Sequence, residues 1–248
     1  MIKLDNLSFS YGKKATIKGV SANLRRGELY GIIGANGSGK TTLLKLVSGI
    51  LKPDSGSISI DGSHVTTRKA MAKKLSLMPQ YRSLPDMTVW DFVACGRFPH
   101  SHRINRNDEK TINSVLEDTE LVRFKDRFLS TLSGGERQKA YLALCLAQDT
   151  EYILLDEPTT YLDIANTHTF MEILSNLKAE GKCIAAVFHD IGTALEYCDK
   201  ILIIKDGSIA FSGSPEETVG CGILKDIFSV ECIKFTDGDN TYFGFKKL

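Results

Sequence analysis

A glycine-rich segment of the chain has the residue types needed to bind phosphate groups. Residues 34–41 read GANGSGKT, which fits the pattern G-x-x-x-x-G-K-[ST]. Glycine lets the backbone turn its N–H groups toward phosphate oxygens, and the start of a following helix adds partial positive charge. Lys40 would bring a full charge to the β and γ phosphates, and the Thr41 hydroxyl would ligate Mg²⁺. The segment predicts a nucleoside triphosphate site; the alternative is a glycine-rich loop that binds nothing.

Two carboxylates further along could complete a hydrolytic site. Residues 152–156 (YILLD) form an apolar run that ends in an acid, and a second acid follows at once. Asp156 would hold Mg²⁺, and Glu157 would orient or deprotonate the attacking water. The alternative is an acidic turn that closes a strand. His189 and Gln80 also follow apolar runs, and each is a weak candidate on its own: His189 near the γ-phosphate, Gln80 as a ligand of Mg²⁺ or water.

A second segment, LSGGE at 132–136, precedes a helical pattern. Ser133 and Glu136 have the spacing of a capping box, which satisfies backbone N–H groups without any ligand. A capping box does not need consecutive glycines, and glycine inside a helix costs about 0.5–1 kcal/mol per residue. Gly134 and Gly135 therefore favour close approach of a ligand to this backbone, as a second site for an anion.

The elements around these motifs indicate an α/β fold. Residues 29–33 (LYGII) are an unbroken apolar run, typical of a strand buried on both faces of a parallel sheet. Further core strands are expected near 75–78, 152–155, 183–188 and 201–204. The helix that follows the glycine-rich segment is predicted to reach residue 51, because one of its faces carries Leu43, Leu46, Val47, Ile50 and Leu51.

Other parts of the chain complete the predicted organisation. Short alternating runs near the start predict an antiparallel flank, and Asp-Gly at 206–207 predicts a hairpin. Residues 85–148 have a mostly helical pattern. We therefore predict one domain over 1–248, with a nucleotide-binding core from 1–84 and 149–248 and an inserted helical subdomain from 85–148. The last segment, from about 215, should add a short helix and a strand at 242–245.

Charge, hydropathy and cysteine spacing argue against a protein that binds nucleic acid through its net charge and against a secreted, membrane-spanning or disulfide-linked protein. The chain has 31 Lys+Arg and 30 Asp+Glu, so net charge gives it no attraction for nucleic acid. We identify neither a secretory leader nor an apolar stretch of the roughly 18 residues needed to span a bilayer. The six cysteines lack a C-x-x-C pair, which favours reduced thiols used in packing. A cytosolic chain, held at the membrane through a partner, is expected.

The motifs together resemble those of ABC-type ATPase domains in both order and approximate spacing. This likeness, which covers essentially the whole chain, implies a P-loop NTPase core of the ABC type, with ATP and Mg²⁺ as cofactors. It also implies a head-to-tail dimer, in which Ser133, Gly134 and Gly135 contact the triphosphate held by the other copy. The motifs concerned are the 34–41 loop, Gln80, residues 132–136, residues 152–157, a D-loop at 161–163 and His189.

The same resemblance assigns further nucleotide contacts. By this likeness Tyr11 stacks on the adenine ring; the alternative is an ordinary edge-strand tyrosine. Asp163 of the D-loop is expected near the nucleotide. Glu136 departs from the family pattern, which usually has Gln there, and it adds negative charge close to the triphosphate. The residues of the glycine-rich segment expected to bind the nucleotide are Gly34, Asn36, Gly37, Ser38, Gly39, Lys40, Thr41 and Thr42.

Two features found in other branches of the family are not recognised in this sequence, and this favours one function over the others. DNA-repair members normally carry a long coiled-coil insertion, and translation factors usually have two cassettes, whereas this chain has one cassette and no heptad insertion. A transporter ATPase is favoured over a soluble ATP-dependent switch. Residues 78–80, 88–100 and 155–164 look like those of iron-chelate importers, with cobalamin and haem importers as alternatives. This likeness implies permease subunits that contact the 85–103 segment and, indirectly, a substrate-binding protein. His100 and His102 are expected in a solvated loop rather than a metal site.

Overall fold

The computed structural model describes residues 1–64, 67–80, 84–101, 103–160, 162–237 and 240–248. Its strands fall into three sheets, and helices cover both faces of the largest. The strands are β1 (Ile2–Tyr11), β2 (Lys14–Leu24), β3 (Leu29–Ile33), β4 (Ser55–Ile60), β5 (Leu75–Met78), β6 (Tyr152–Asp156), β7 (Cys183–Val187), β8 (Lys200–Lys205), β9 (Ser208–Gly213), β10 (Val230–Asp237) and β11 (Asn240–Lys247).

The helices alternate with the strands of the core and cluster in the middle of the chain. They are α1 (Lys40–Val47), α2 (Arg68–Ala72), α3 (Val89–Ala94), α4 (Arg106–Asp118), α5 (Gly134–Ala147), α6 (Ile164–Ala179), α7 (Ile191–Tyr197), α8 (Pro215–Gly220) and α9 (Ile223–Phe228). Three short 3-10 turns lie at Cys95–Arg97, Val122–Phe124 and Leu129–Thr131.

A six-stranded sheet in the order β5-β6-β7-β3-β8-β9 forms the centre of the fold. All its neighbours are parallel except β8 and β9, which are antiparallel. Every residue of β3, β6 and β7 is buried, as expected for strands covered on both faces. Because parallel strands end at the same edge, the loops that follow β3, β6 and β7 meet there.

The second sheet is antiparallel, in the order β2-β1-β4. Its apolar residues pack with those of α1 in one core cluster, so the sheet covers the helix that follows the glycine-rich segment. The Asp-Gly pair predicted to form a hairpin joins β8 to β9, with positive φ at both Asp206 (50°) and Gly207 (86°). The mixed sheet, the antiparallel flank and the helical insertion confirm the predicted fold class.

Between Val89 and Ala147 the described residues form helices and 3-10 turns. A buried ion pair holds this segment together: Arg97 Nε donates to Asp108 Oδ1 at 2.8 Å, and Arg97 Nη1 donates to the Ala147 carbonyl at 2.9 Å. The boundaries at 85 and 148 stay a prediction. No helix in the described part of the chain is both long and apolar enough to cross a membrane.

Helix α1 is shorter than its apolar spacing predicts. It ends at Val47, and Ile50 is 54% exposed beyond it. Gly49 takes φ 72°, and its N–H donates to the Leu46 carbonyl at 3.0 Å. This left-handed glycine turns the chain away from the helix axis, so the prediction that the helix reaches residue 51 is wrong.

The C-terminal region contains more structure than the sequence predicts. Helices α8 and α9 precede a two-stranded antiparallel sheet of β10 and β11, and only the second of these strands was expected. All six cysteines are free thiols. Cys145, Cys183 and Cys198 are buried, whereas Cys221, just after α8, is exposed.

Candidate functional site

The glycine-rich segment lies between the end of β3 and the start of α1. Gly39 has φ 110°, and a Cβ at this position would lie 2.9 Å from Ile17 Cδ1 and 3.0 Å from the Thr16 carbonyl oxygen. A larger residue would therefore be strained and would also collide with β2. The buried Ser38 hydroxyl has no hydrogen-bond partner in the described structure. This orphaned polar group inside the loop fits a site for a polar ligand.

Lys40 begins α1 and is only 6% exposed. Its Nζ donates to the Gly34 carbonyl at 2.8 Å and to the Ala35 carbonyl at 3.1 Å, so the ammonium lies inside the loop. Burial lowers the pKa of Lys40, and the nearby carboxylates of Glu157 and Asp156 act in the opposite direction. The residue presents a positive charge where a phosphate could neutralise it.

Asp156, the last residue of β6, meets the first turn of α1. Thr41 Oγ1 donates to Asp156 Oδ1 at 3.1 Å, so two hard oxygen ligands converge. Burial raises the pKa of Asp156, and the bond from Thr41 lowers it. In the described residues no group of three or more His, Cys, Asp or Glu could hold a metal. A site with only one or two protein carboxylates is nevertheless suitable for Mg²⁺, because this ion commonly keeps several waters and binds substrate phosphates.

Glu157 receives contacts from two other predicted site residues. Gln80 Nε2 donates to Glu157 Oε2 at 2.7 Å, and His189 Nε2 lies 2.7 Å from Glu157 Oε1. Glu157 itself has φ 55°, a left-handed conformation that is uncommon outside glycine. Gln80 follows β5 and His189 follows β7, so the parallel sheet brings the three side chains to one edge.

One cavity of about 690 Å³ joins most of the predicted residues. Among its lining residues, Lys14 and Lys18 of β2 were not anticipated. Lys14 is the β-partner of Tyr11, so a correct pairing of the first two strands would have found it. The predicted residues that line the cavity are Tyr11, Asn36, Gly37, Gly39, Lys40, Thr41, Thr42, Gln80, Glu157 and His189.

Gly34, Ser38 and Asp156 do not line this cavity but adjoin residues that do, whereas the predicted residues of α5 and the D-loop lie apart from it. Ser133 caps α5 through a complete capping box, in which Ser133 N donates to Glu136 Oε2 at 2.8 Å. This hydrogen bond lowers the pKa of Glu136. Asp163 caps α6 by accepting from Asn166 N at 2.8 Å. None of residues 133–135 or Asp163 lines the 690 Å³ cavity. Tyr161 of the D-loop and His102 lie outside the described residues, and His100 is exposed, with Nε2 2.8 Å from the Gln148 carbonyl.

Sequence reasoning missed a hydrogen bond and a close approach between α5 and the segment after β6. The Gln138 side chain, only 7% exposed, donates from Nε2 to the Pro158 carbonyl. A Cβ on Gly135 would lie 3.3 Å from Asn166 Cγ. Both bring together residues distant along the chain, and no local pattern in the sequence indicates them.

Residues 17–160 match the ABC transporter family. The chain is 39% identical over 235 residues to the petrobactin import ATP-binding protein YclP of Bacillus subtilis (strain 168), covering 93% of each chain. It is 35% identical over 240 residues to the ferric enterobactin transport ATP-binding protein FepC of Escherichia coli (strain K12), covering 94% of this chain and 89% of that one. The chain therefore belongs to the ABC transporter ATPase family.

Solved structures agree with this assignment. A metal-chelate type ABC transporter in an inward-facing conformation superposes with a TM-score of 0.86 at 25% identity, covering 100% of this chain and 96% of that one. A dimeric ATP-binding cassette in a post-hydrolysis state, bound to ADP and Pi, has a TM-score of 0.77 at 28% identity. It covers 87% of this chain and 99% of the cassette.

Proposed function

We propose that the chain binds ATP with Mg²⁺, hydrolyses it as one of two identical copies, and thereby powers import of a ferric siderophore through permease subunits. The observation that carries the proposal is the position of Glu157. Its carboxylate contacts Gln80 and His189 in the same cavity that contains Lys40 and Thr41. A phosphate-binding loop and a carboxylate able to orient water are the two parts that ATP hydrolysis requires.

Nucleotide binding would use both ends of the cavity. Tyr11, 49% exposed at the rim, offers a ring face for the adenine base. The triphosphate would lie over the backbone N–H groups of the 34–39 loop, with Lys40 and the Ser38 hydroxyl beside it. The phosphate charge would replace the carbonyl contacts that the Lys40 ammonium makes with Gly34 and Ala35.

Mg²⁺ would be held by Thr41 and Asp156, with Gln80 close by, and would neutralise charge on the phosphate oxygens. Glu157 would accept a hydrogen bond from the attacking water and hold it in line with the γ-phosphate. His189 would contact the γ-phosphate edge. Gln80 connects this reaction to the helical segment, because it begins the stretch of chain that leads to α3.

A second copy would complete the site. Ser133, Gly134 and Gly135 lie outside the cavity of their own chain, although the sequence predicts that they bind phosphate. In a head-to-tail pair the start of α5 would reach the triphosphate of the other copy; that a similar cassette bound to ADP and Pi is dimeric supports pairing. Asp163 would lie near the same interface. Hydrolysis would remove this bridge and let the pair open.

The cargo is proposed from the relatives, because petrobactin and enterobactin are the substrates in their names. The ATPase would then lie at the cytoplasmic face of the cell membrane, bound to permease subunits whose substrate-binding protein delivers the chelate. Cobalamin or haem import is the second candidate, and a soluble ATP-dependent switch the third.

Co-purification of the chain with its membrane subunits tests this proposal. In proteoliposomes we expect ATP hydrolysis to rise when a ferric siderophore and its binding protein are present, and Lys40→Ala to abolish both hydrolysis and uptake. Stimulation by cobalamin or haem instead would reject the siderophore. If no membrane subunit co-purifies, the chain is a soluble switch.

A further inference from the structure

Gln138 links the start of α5 to the turn that carries Glu157. Gln138 lies four residues after Gly134 and three after Gly135, so the three residues share one face of the helix. That face points toward the segment after β6, where the Gln138 amide donates to the Pro158 carbonyl. Pro158 is the residue immediately after Glu157, and the hydrogen bond is buried, with Gln138 only 7% exposed.

The turn that Gln138 contacts needs external support. Glu157 has φ 55°, a backbone conformation that persists only where surrounding contacts hold it. The bond from Gln138 holds the Pro158 carbonyl, which is part of the peptide between Pro158 and Thr159, and so restrains the turn immediately after Glu157. The Glu157 carboxylate is held separately by Gln80 and His189. Gln138 thus acts on the turn that follows Glu157, not on the Glu157 carboxylate.

α5 also lies close to this segment at a second position. Asn166, in the first turn of α6, lies where a Cβ on Gly135 would be 3.3 Å away. Asn166 in turn donates to Asp163 from its backbone at 2.8 Å and from Nδ2 at 3.0 Å. α5 therefore bonds to the chain after β6 next to Glu157 and approaches it closely at a second place, next to Asp163.

We infer that Gln138 is a positioning residue that couples the two ATP sites of the pair. The inference rests on the proposed function, in which Ser133 and Gly135 of one copy contact the ATP of the other. ATP on that side would fix the start of α5, and Gln138 would carry this order to the Glu157 of its own chain. That Glu157 acts on the second ATP, so each nucleotide prepares hydrolysis of the other.

The variant Gln138→Met tests the inference, because methionine keeps the side-chain length but cannot donate to Pro158. ATP hydrolysis is measured against ATP concentration in the full-length chain co-purified with its membrane subunits. We expect kcat to fall about 10- to 100-fold, as for a small misplacement of a reacting group. The Hill coefficient should fall to about 1, and binding of a fluorescent ATP analogue should change less than about twofold.

Gln148→Met is the matched control. Gln148 follows the last residue of the same helix, and its amide also donates to backbone carbonyls, those of Ala72 and Leu75, the latter at 2.8 Å. This variant loses the same kind of bond away from Glu157. We expect a similar loss in thermal midpoint for both variants, with wild-type kcat and Hill coefficient only for Gln148→Met.

Other outcomes separate the inference from the proposed function. Three outcomes would overturn the inference but not the proposed function: wild-type kcat and cooperativity in Gln138→Met, equal losses of kcat and of Hill coefficient in both variants, or a Hill coefficient of 1 in the wild type. If the wild-type complex does not hydrolyse ATP, the proposed function fails. Should Gln138→Met not fold, Asn166→Ala provides a second test, because it removes a half-buried side chain that lies close to Gly135. It should lower the Hill coefficient, and unchanged cooperativity would overturn the coupling.

Discussion

Lys40 and Asp156 show how burial prepares single residues for a charged ligand. Burial lowers the pKa of Lys40 and raises that of Asp156, because it disfavours the charged form of each. The charge on each group acts against this effect, because it favours the charged form of the other group. A triphosphate with its cation would bring opposite charge to both, so binding would remove a cost that the folded protein carries at these two positions.

Tyr11→Ala tests base stacking at the rim of the cavity. Stacking on an aromatic ring contributes about 1–3 kcal/mol, so the Kd for ATP should rise roughly 5- to 150-fold. Titration calorimetry of the full-length chain measures this change. Tyr11→Phe keeps the ring and should bind ATP with nearly wild-type affinity; equal losses in both variants would assign the effect to the hydroxyl and contradict stacking.

For single residues, the sequence predicts a functional role where that role depends on neighbours along the chain. The 34–41 loop, Asp156 and Glu157 are recognisable because a strand, a loop and a helix are contiguous around them. Gln138 was missed because it bonds to Pro158, which is distant along the chain. Lys18 was missed because the cavity it lines is formed by residues from distant parts of the chain. Only the tertiary structure brings such groups together.

Among the elements, a buried ion pair connects the helices of the segment between Val89 and Ala147. Arg97, after α3, bonds to Asp108 of α4 and to the carbonyl of Ala147 at the end of α5. Asp108 also accepts from Asn105 N at 3.1 Å in the cap of α4. The hydrogen bond from Arg97 lowers the pKa of Asp108. Three helices are therefore joined at one point, near the segment proposed to meet the permease.

Asp108→Asn should lower the free energy of unfolding by about 3–5 kcal/mol at pH 7, because it leaves the buried guanidinium without its counter-charge. Urea unfolding measures the change. The matched change at an exposed pair, Glu151→Gln beside Arg26, should cost less than about 1 kcal/mol. Equal effects of the two variants would contradict the importance assigned to burial.

Acid should reduce the difference between wild type and Asp108→Asn. The pKa of Asp108 is lowered in the folded chain, so its contribution is present above the unfolded value of about 4 and disappears as the pH falls through the folded value. We expect the gap in unfolding free energy at pH 7 to narrow near pH 3. A constant gap across this range would show that ionisation of Asp108 is not involved.

The elements that the sequence did not predict share a physical reason. Strand β4 (SGSISI) is short and rich in small polar residues, and it forms because β1 offers an open edge beside it. Strand β10 likewise depends on pairing with β11. Helix α1 ends early because one glycine adopts a left-handed conformation, which apolar spacing cannot reveal. Unbroken apolar runs predicted the core strands; pairing and local backbone geometry decided the rest.

For the whole molecule, the two groups of predicted phosphate-binding residues remain separate within one chain. This separation leads to a prediction about assembly. Glu157→Gln should bind ATP and stop hydrolysis, so the closed pair should accumulate. Size-exclusion chromatography with light scattering should find a dimer with ATP and Mg²⁺ and a monomer without them. Lys40→Ala combined with Glu157→Gln is the control and should stay monomeric; an ATP-independent dimer would contradict the bridge.

Cys221 gives the chain a natural attachment point for a spectroscopic label. Of the six cysteines, all of them described, it alone has an exposed side chain. Burial raises the pKa of the thiols of Cys95 and Cys232, and that of Cys183 to about 12, which suppresses their reactive thiolates. A maleimide near neutral pH should therefore modify Cys221 first, as mass spectrometry would detect. Opening and closing of the pair could then be followed by fluorescence in the natural sequence, without first removing any thiol.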